Sequence, residues 1–148
     1  MTTYTNLVFH IVFSTKQRAP LIGRELRAPL YSYVGGVLRG ERGTLLEVGG
    51  VADHVHLLAR LRPDQSLADV LRRVKANTSK WINEGNRARR KFQWQVGYSA
   101  FSVSESQIPR VRSYIRNQEV HHRRRTFREE LIDLLDRHAV AYDDRFLP

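Results

Sequence analysis

The stretch Asp53-His54-Val55-His56-Leu57-Leu58 constrains this chain more than any other. Apolar and β-branched residues follow a turn-like Val51-Ala52-Asp53, the mark of a β-strand leaving a turn. Successive strand side chains point to opposite faces of a sheet. His54 and His56 therefore share one face, and Val55 and Leu57 the other. Two neutral imidazoles side by side on a rigid strand make a metal half-site. The pattern has a plainer reading as well, because a buried or cross-strand histidine pair looks the same in a chain with six histidines.

Around that strand the chain reads as an alternation of strands and helices. Tyr4 to Ser14 is β-branched and aromatic and reads as a buried strand, with His10 as a core residue within it. A basic loop runs from Thr15 to Pro20. Leu26, Leu30, Tyr33, Val34 and Val37 recur at helical spacing between Gly23 and Arg39, and Pro29 predicts a late start or a kink. Thr44 to Val51 is a second strand whose Gly49 and Gly50 suggest a bulge or tight turn, and it pairs with the His54 to Leu61 strand as a hairpin. Pro63-Asp64-Gln65-Ser66 starts an amphipathic helix reaching about Asn83. Phe92 to Val103 reads as another strand. Ser104 to Pro109 opens a helix running to about His122, and the capping box Thr126-Phe127-Arg128-Glu129 opens a last one. This order predicts an α+β fold, an antiparallel sheet with helices packed mainly on one face.

Length and charge narrow the class. The 148 residues suit one domain with a real core. Neither a membrane span nor a secretory leader is visible, and without cysteine there is no thiolate site or thiol nucleophile. A cytoplasmic protein is expected. Twenty-five Lys and Arg against fifteen Asp and Glu give a net charge of +10, which favours a polyanionic partner, nucleic acid first. Lys16, Arg18, Arg72, Arg73, Lys75, Lys80 and the Arg87 to Lys91 cluster are candidates for backbone phosphate contacts. Trp81 and Trp94 are read as core residues rather than base-stacking platforms. His121, His122 and Arg123 to Arg125 are read as a phosphate-facing or solvated link, not as ligands.

In Val111-Arg112-Ser113-Tyr114-Ile115-Arg116-Asn117-Gln118, Tyr114 and Gln118 stand one helical turn apart on a shared face. By spacing alone Tyr114 is an ordinary half-buried aromatic beside Ile108, Val111 and Ile115. Together, Asp53-His54-Val55-His56-Leu57-Leu58 and Tyr114-Ile115-Arg116-Asn117-Gln118-Glu119-Val120-His121-His122 resemble the single-tyrosine HUH transposases of small bacterial insertion sequences, the insertion-sequence-200-like family. His10 to Lys16, Gly97 to Ser104 and Tyr142 to Leu147 fit the same pattern in the same order.

The resemblance implies a ferredoxin-like (HUH/RRM-like) single domain over residues 1–148 of a bacterial protein. It implies that His54, His56 and Gln118 bind a divalent metal, Mg²⁺ or Mn²⁺, and that Tyr114 is the nucleophile. Tyr114 would attack a phosphodiester of single-stranded DNA with hairpin ends, leaving a 5′-phosphotyrosine link and a 3′-hydroxyl. A homodimer is implied too. The chemistry suits the residues: a tyrosyl ester stores the phosphodiester bond, so strands can be rejoined without ATP. A phenol with a pKa near 10 is a weak nucleophile at neutral pH, so a cation must help by polarising and orienting the phosphate. Activity should fall as acid protonates the histidines. Two other readings remain open: a hairpin-binding module without strand transfer, and a metal-dependent nuclease in which water attacks and Tyr114 is a bystander.

Overall fold

The computed structural model describes residues 2–148. Four strands, β1 (Leu7–Ser14), β2 (Thr44–Gly50), β3 (His54–Leu61) and β4 (Ser99–Val103), form one antiparallel sheet in the order β2-β3-β1-β4. Between and after them lie α1 (Arg24–Gly40), α2 (Leu67–Glu84), α3 (Ile108–Arg116), α4 (Gln118–His121) and α5 (Phe127–Arg137). The β1-α1-β2-β3-α2-β4 succession with this strand order is the ferredoxin-like arrangement expected of the sequence.

Strand alternation decides what each face carries. Ile11, Phe13, Val55, Leu57, Ala59 and Leu61 pack with Leu30, Val34 and Leu38 of α1 and Val70, Leu71 and Val74 of α2. The two long helices thus lie together on one face. The other parity, Val8, Val12 and Leu58, meets Ile108 and Ile115 of α3 and Phe127, Leu131, Leu134 and Leu135 of α5. The shorter helices therefore cover the second face, and it is this face that carries His10, His54 and His56. The sequence understated that cover, because an apolar stripe shows that a helix packs but not on which face.

Local chemistry explains most boundaries. Ser66 caps α2 by accepting from the Asp69 amide (3.3 Å), and Thr126 caps α5 by accepting from the Glu129 amide (3.2 Å). Pro29 lies inside α1, which starts at Arg24 rather than after the proline; one lost amide bond is tolerated while Leu26, Leu30, Val34 and Leu38 bury on the sheet. The fourth strand is shorter than expected. Its first half survives only as a single bridge between Trp94 and Thr15, and Lys75 Nζ donates to the Gln95 and Gly97 carbonyls instead (2.6 and 2.7 Å).

Gly49 and Gly50 differ from expectation in an informative way. The bulge falls between Leu45 and Glu47, not at the glycines. A Cβ at Gly49 would overlap the Ile115 carbonyl oxygen of α3, and one at Gly50 the His54 carbonyl oxygen. These glycines allow close backbone approach, and Gly49 lets α3 lie directly on β2.

Candidate metal centre and nucleophile

Register builds the site. Val12 pairs with His56 and Ser14 with His54, so His10 lies diagonally across from His56 on the same face. His54 and His56 are fully buried beneath α3, α4 and α5. Their Nε2 atoms converge with Nε2 of His122 on one carboxylate oxygen, Glu130 Oε1, at 3.4, 2.9 and 3.0 Å. Gln118 Oε1 lies 3.2 Å from His54 Nε2 and 3.1 Å from His122 Nε2. The other Glu130 oxygen accepts from the Tyr114 hydroxyl, and Arg125 donates to that hydroxyl at 3.5 Å.

The expected set His54, His56, Gln118 and Tyr114 is thus brought together, but not on one unbroken helix. Asn117 ends α3 and α4 begins at Gln118. His122 departs from its expected role as a link, because its ring turns inward to the cluster. Glu130 was not anticipated at all. The one signal for it was an acidic residue on the apolar stripe of α5, between Phe127 and Leu131. His10 is a buried strand residue, as expected, and hydrogen-bonds through Nε2 to His56 Nδ1 at 2.8 Å.

The protonation pattern suits a cation. His54 Nδ1 faces Asp53 Oδ1 at 2.7 Å, and His122 Nδ1 faces the Arg125 carbonyl at 3.1 Å. Oxygens only accept, so each ring places its proton on Nδ1 and, when neutral, presents a lone pair at Nε2. Two lone pairs then face the oxygens of Gln118 and Glu130, an arrangement stable only around positive charge. Burial opposes a charge on His54, but Asp53 and Glu130 outweigh it and hold the ring above the usual histidine pKa. Burial opposes charge on Glu130 as well, yet His122, His54 and His56, when their Nε2 atoms are protonated and donate to it, hold its carboxyl far below the usual range. Burial lowers His56 to about 4 and, with His56 beside it, lowers His10 to about 3. The Tyr114 phenol is pushed above its ordinary pKa by burial and by Glu130. The donors of His54, His56, His122 and Glu130 all lie within 4.8 Å of one another, and the buried Gln118 Nε2 has no partner among the described residues, so its amide is oriented by the oxygen. Imidazole nitrogens and oxygens in this mixture fit a divalent ion such as Mn²⁺.

The basic residues divide into two sets. On α2, Arg72 pairs with Asp69 and Arg73 with Glu41 (3.1 and 2.9 Å), Lys80 faces Glu84 at 3.9 Å, and Lys75 is held by carbonyls. A groove of about 690 Å³ beside His122 and Asp53 is lined by Arg18, Arg24, Arg27 and Arg123 to Arg125. Among the described residues, no carboxylate lies within 4 Å of the charged groups of Arg18, Arg24, Arg123 or Arg124, whereas Arg27 pairs with Glu119. Lys16 is an exposed residue of the short turn after β1. Trp94 is core, donating to Thr78 at 2.9 Å, and Trp81 stacks on Tyr33.

A ferredoxin-like sheet whose histidine pair, glutamine and tyrosine meet under the C-terminal helices defines the class, an α+β protein with a candidate metal centre. Residues 3–118 match the family model described as "Transposase IS200 like", and the chain belongs to that family. The transposases of insertion sequence element IS200 from Salmonella typhimurium and Salmonella typhi are each 26% identical over 121 residues, covering 78% of this chain and 79% of theirs. Two solved structures share the fold. A putative transposase from Deinococcus radiodurans superposes with a TM-score of 0.65 at 20% identity, covering 80% of this chain and 95% of that one. A REP-associated tyrosine transposase bound to a REP hairpin gives 0.63 at 14% identity, covering 82% and 74%. His122 and Glu130 lie beyond the matched family segment. Among the described residues, no helix is long and apolar enough to cross a membrane.

Proposed function

We propose that this transposase nicks and rejoins single-stranded DNA through Tyr114, with His54, His56 and Gln118 as metal ligands. The carrying observation is the single carboxylate of Glu130, one oxygen of which takes the Tyr114 hydroxyl while the other faces three imidazole Nε2 atoms. That bridge sets the nucleophile beside the centre that would bind the phosphate.

His54, His56 and Gln118 would hold the ion, Mn²⁺ or Mg²⁺, with His122 and Glu130 near enough to join them. A bound divalent ion there would polarise the phosphoryl oxygens and offset developing negative charge. The protein's own groups do the rest. Asp53 fixes the His54 ring and His10 the His56 ring, leaving each Nε2 directed at the centre. Glu130 and Arg125 aim the Tyr114 hydroxyl. Tyr114 oxygen bonds to phosphorus as the bond from phosphorus to the 3′ oxygen breaks. The phenol loses its proton and the departing 3′ oxygen gains one, leaving a 5′-phosphotyrosine and a 3′-hydroxyl. Attack of a 3′-hydroxyl on that ester reverses the step.

The substrate proposed is DNA with a hairpin beside the cleaved strand, as the REP-hairpin complex of a protein with this fold suggests. The test is a labelled hairpin oligonucleotide with single-stranded flanks, copied from the DNA bordering the chain's own coding sequence. With Mn²⁺, a protein–DNA adduct should survive denaturing electrophoresis and vanish in Tyr114→Phe. Cleavage that persists in Tyr114→Phe without an adduct would mean that water is the nucleophile. Binding with neither product would mean a hairpin-binding module.

A further inference from the structure

His10 is buried, and its ring separates the metal-binding cluster from a second cavity. That cavity holds about 440 Å³, and its walls include His10, Gln107, Arg110, Val111, Tyr114 and His138. The size falls within the range of small-molecule sites, about 300–1,000 Å³. His10 meets Tyr114 edge-on with ring centroids 6.0 Å apart and stacks on His56 at 5.1 Å. His138 stacks on Phe101 at 4.2 Å, and its Nδ1 donates to the Leu134 carbonyl at 2.8 Å, which leaves Nε2 as an acceptor in the neutral ring. Arg110 is exposed, with no carboxylate within 4 Å among the described residues.

Hydrogen-bond logic gives His10 a definite polarity. When His56 commits its Nε2 lone pair to a cation, its proton resides on Nδ1 and is donated to His10 Nε2 at 2.8 Å. His10 is then an acceptor at Nε2, and its own proton must lie on Nδ1. That atom makes no hydrogen bond among the described residues, and it is the polar group the ring has left for the cavity it lines. The cavity thus presents a ring N–H donor, an imidazole acceptor and an amide between aromatic surfaces, with a guanidinium at the rim. A planar heteroaromatic ring attached to a phosphate has the matching chemistry.

We infer that this cavity receives one unstacked nucleobase of the strand under attack, and that His10 reads an acceptor on its edge. The inference rests on the proposed function, because attack by Tyr114 bonds its oxygen to the strand and brings the neighbouring nucleotide within reach of the cavity that Tyr114 lines. Unstacked bases are commonly held against aromatic side chains and read by a few hydrogen bonds.

An abasic scan tests it. Tyr114→Phe protein, which keeps the ring and cannot form the ester, is titrated in Mn²⁺ against the labelled hairpin oligonucleotide with one abasic site walked through the single-stranded flanks. One position should weaken binding about tenfold, about 1.4 kcal/mol, while its neighbours change less than twofold. Val111→Trp, which fills the cavity from its wall, should bind intact and abasic DNA alike. In a second measurement 2-aminopurine at the sensitive position should change fluorescence on binding, which needs no cavity variant to fold. Uniform tolerance of abasic sites overturns the inference, as does an unaltered penalty in a folded Val111→Trp protein or an unchanged 2-aminopurine signal. Adduct formation by the wild-type chain keeps the two readings apart: adduct with uniform tolerance refutes the base site alone, and a sensitive position without adduct refutes the tyrosine chemistry alone.

Discussion

Gly49→Ala should damage both the fold and the chemistry, and its geometry fixes how. The added methyl overlaps the Ile115 carbonyl oxygen and stands 3.1 Å from the Ile115 carbonyl carbon and Cγ2. Ordinary contact begins at 3.4 Å, and the obstruction is backbone, so no rotamer change relieves it. The helix α3 must move off β2 by about 1 Å, and overpacking of this kind costs about 1–3 kcal/mol. A loss of about 2 kcal/mol lowers the melting temperature of a chain this size by about 4–8 °C. Ile115 follows Tyr114, so the same shift displaces the proposed nucleophile from Glu130. A misplacement of about 1 Å lowers such a reaction about 100-fold. Thermal melts and single-turnover adduct formation measure the two effects. Gly40→Ala, with nothing within 4 Å of the added methyl, is the control and should change neither. A Gly49→Ala protein that melts with wild type and forms adduct at the wild-type rate would refute the role assigned to that contact.

Three further outcomes are expected. His10 and His56 are held neutral with pKa values of about 3 and about 4, below the unfolded value of 6.5. The unfolded chain therefore binds more protons between those limits, and stability should fall by about 2 kcal/mol per ring from pH 6.5 to 5. His54 acts oppositely, its raised pKa adding stability below 6.5 that is lost as pH rises through the folded value, so denaturant midpoints should pass through a maximum near neutrality; a midpoint still rising steadily toward pH 5 would contradict this. Mn²⁺ at about 100 times its dissociation constant should stabilise the chain by about 2.7 kcal/mol and release protons from the cluster, seen as a buffer-dependent heat in calorimetry, and both effects should vanish in His56→Ala. Finally, Arg123→Glu with Arg124→Glu should weaken single-stranded DNA binding and flatten its salt dependence, whereas Arg72→Glu with Lys80→Glu should do little, because those two cations already face Asp69 and Glu84; equal losses from both pairs would remove the distinction between groove and helix.

How much was legible in the sequence follows from the range of the signals. Strand alternation places His54 and His56 on one face, and caps such as Ser66 and Thr126 mark helix starts, because both are local patterns. Tyr114 and Gln118 were visible as a helical pair, and only the distant histidines gave that pair meaning. Glu130 was invisible for the opposite reason. A lone acid on an apolar stripe looks like a surface residue until tertiary packing buries it against three imidazoles. The inward turn of His122 is not legible, because a run of basic residues hides one inward-facing ring. The partners of the α2 arginines are not legible either, since charge is written in the sequence and its pairing with Glu41 or Asp69 is not.

The break at Asn117 gives the arrangement its logic. A continuous helix would fix Tyr114 and Gln118 one turn apart with no adjustment between them. Here α3 stops at Arg116, and the chain turns before Gln118 enters the cluster. Tyr114 is held from its own side by Glu130 and Arg125, while Gln118 is held by His54 and His122. Glu130 belongs to both sets, so α5 is the element that ties Tyr114 to the histidine and glutamine cluster. Substitutions in α5 that leave the sheet histidines untouched, such as Glu130→Gln, should therefore impair alignment of Tyr114 more than they impair Mn²⁺ binding. The ratio of the two losses, adduct rate against ion affinity, measures that division directly, and equal losses would mean that Glu130 serves the ion alone.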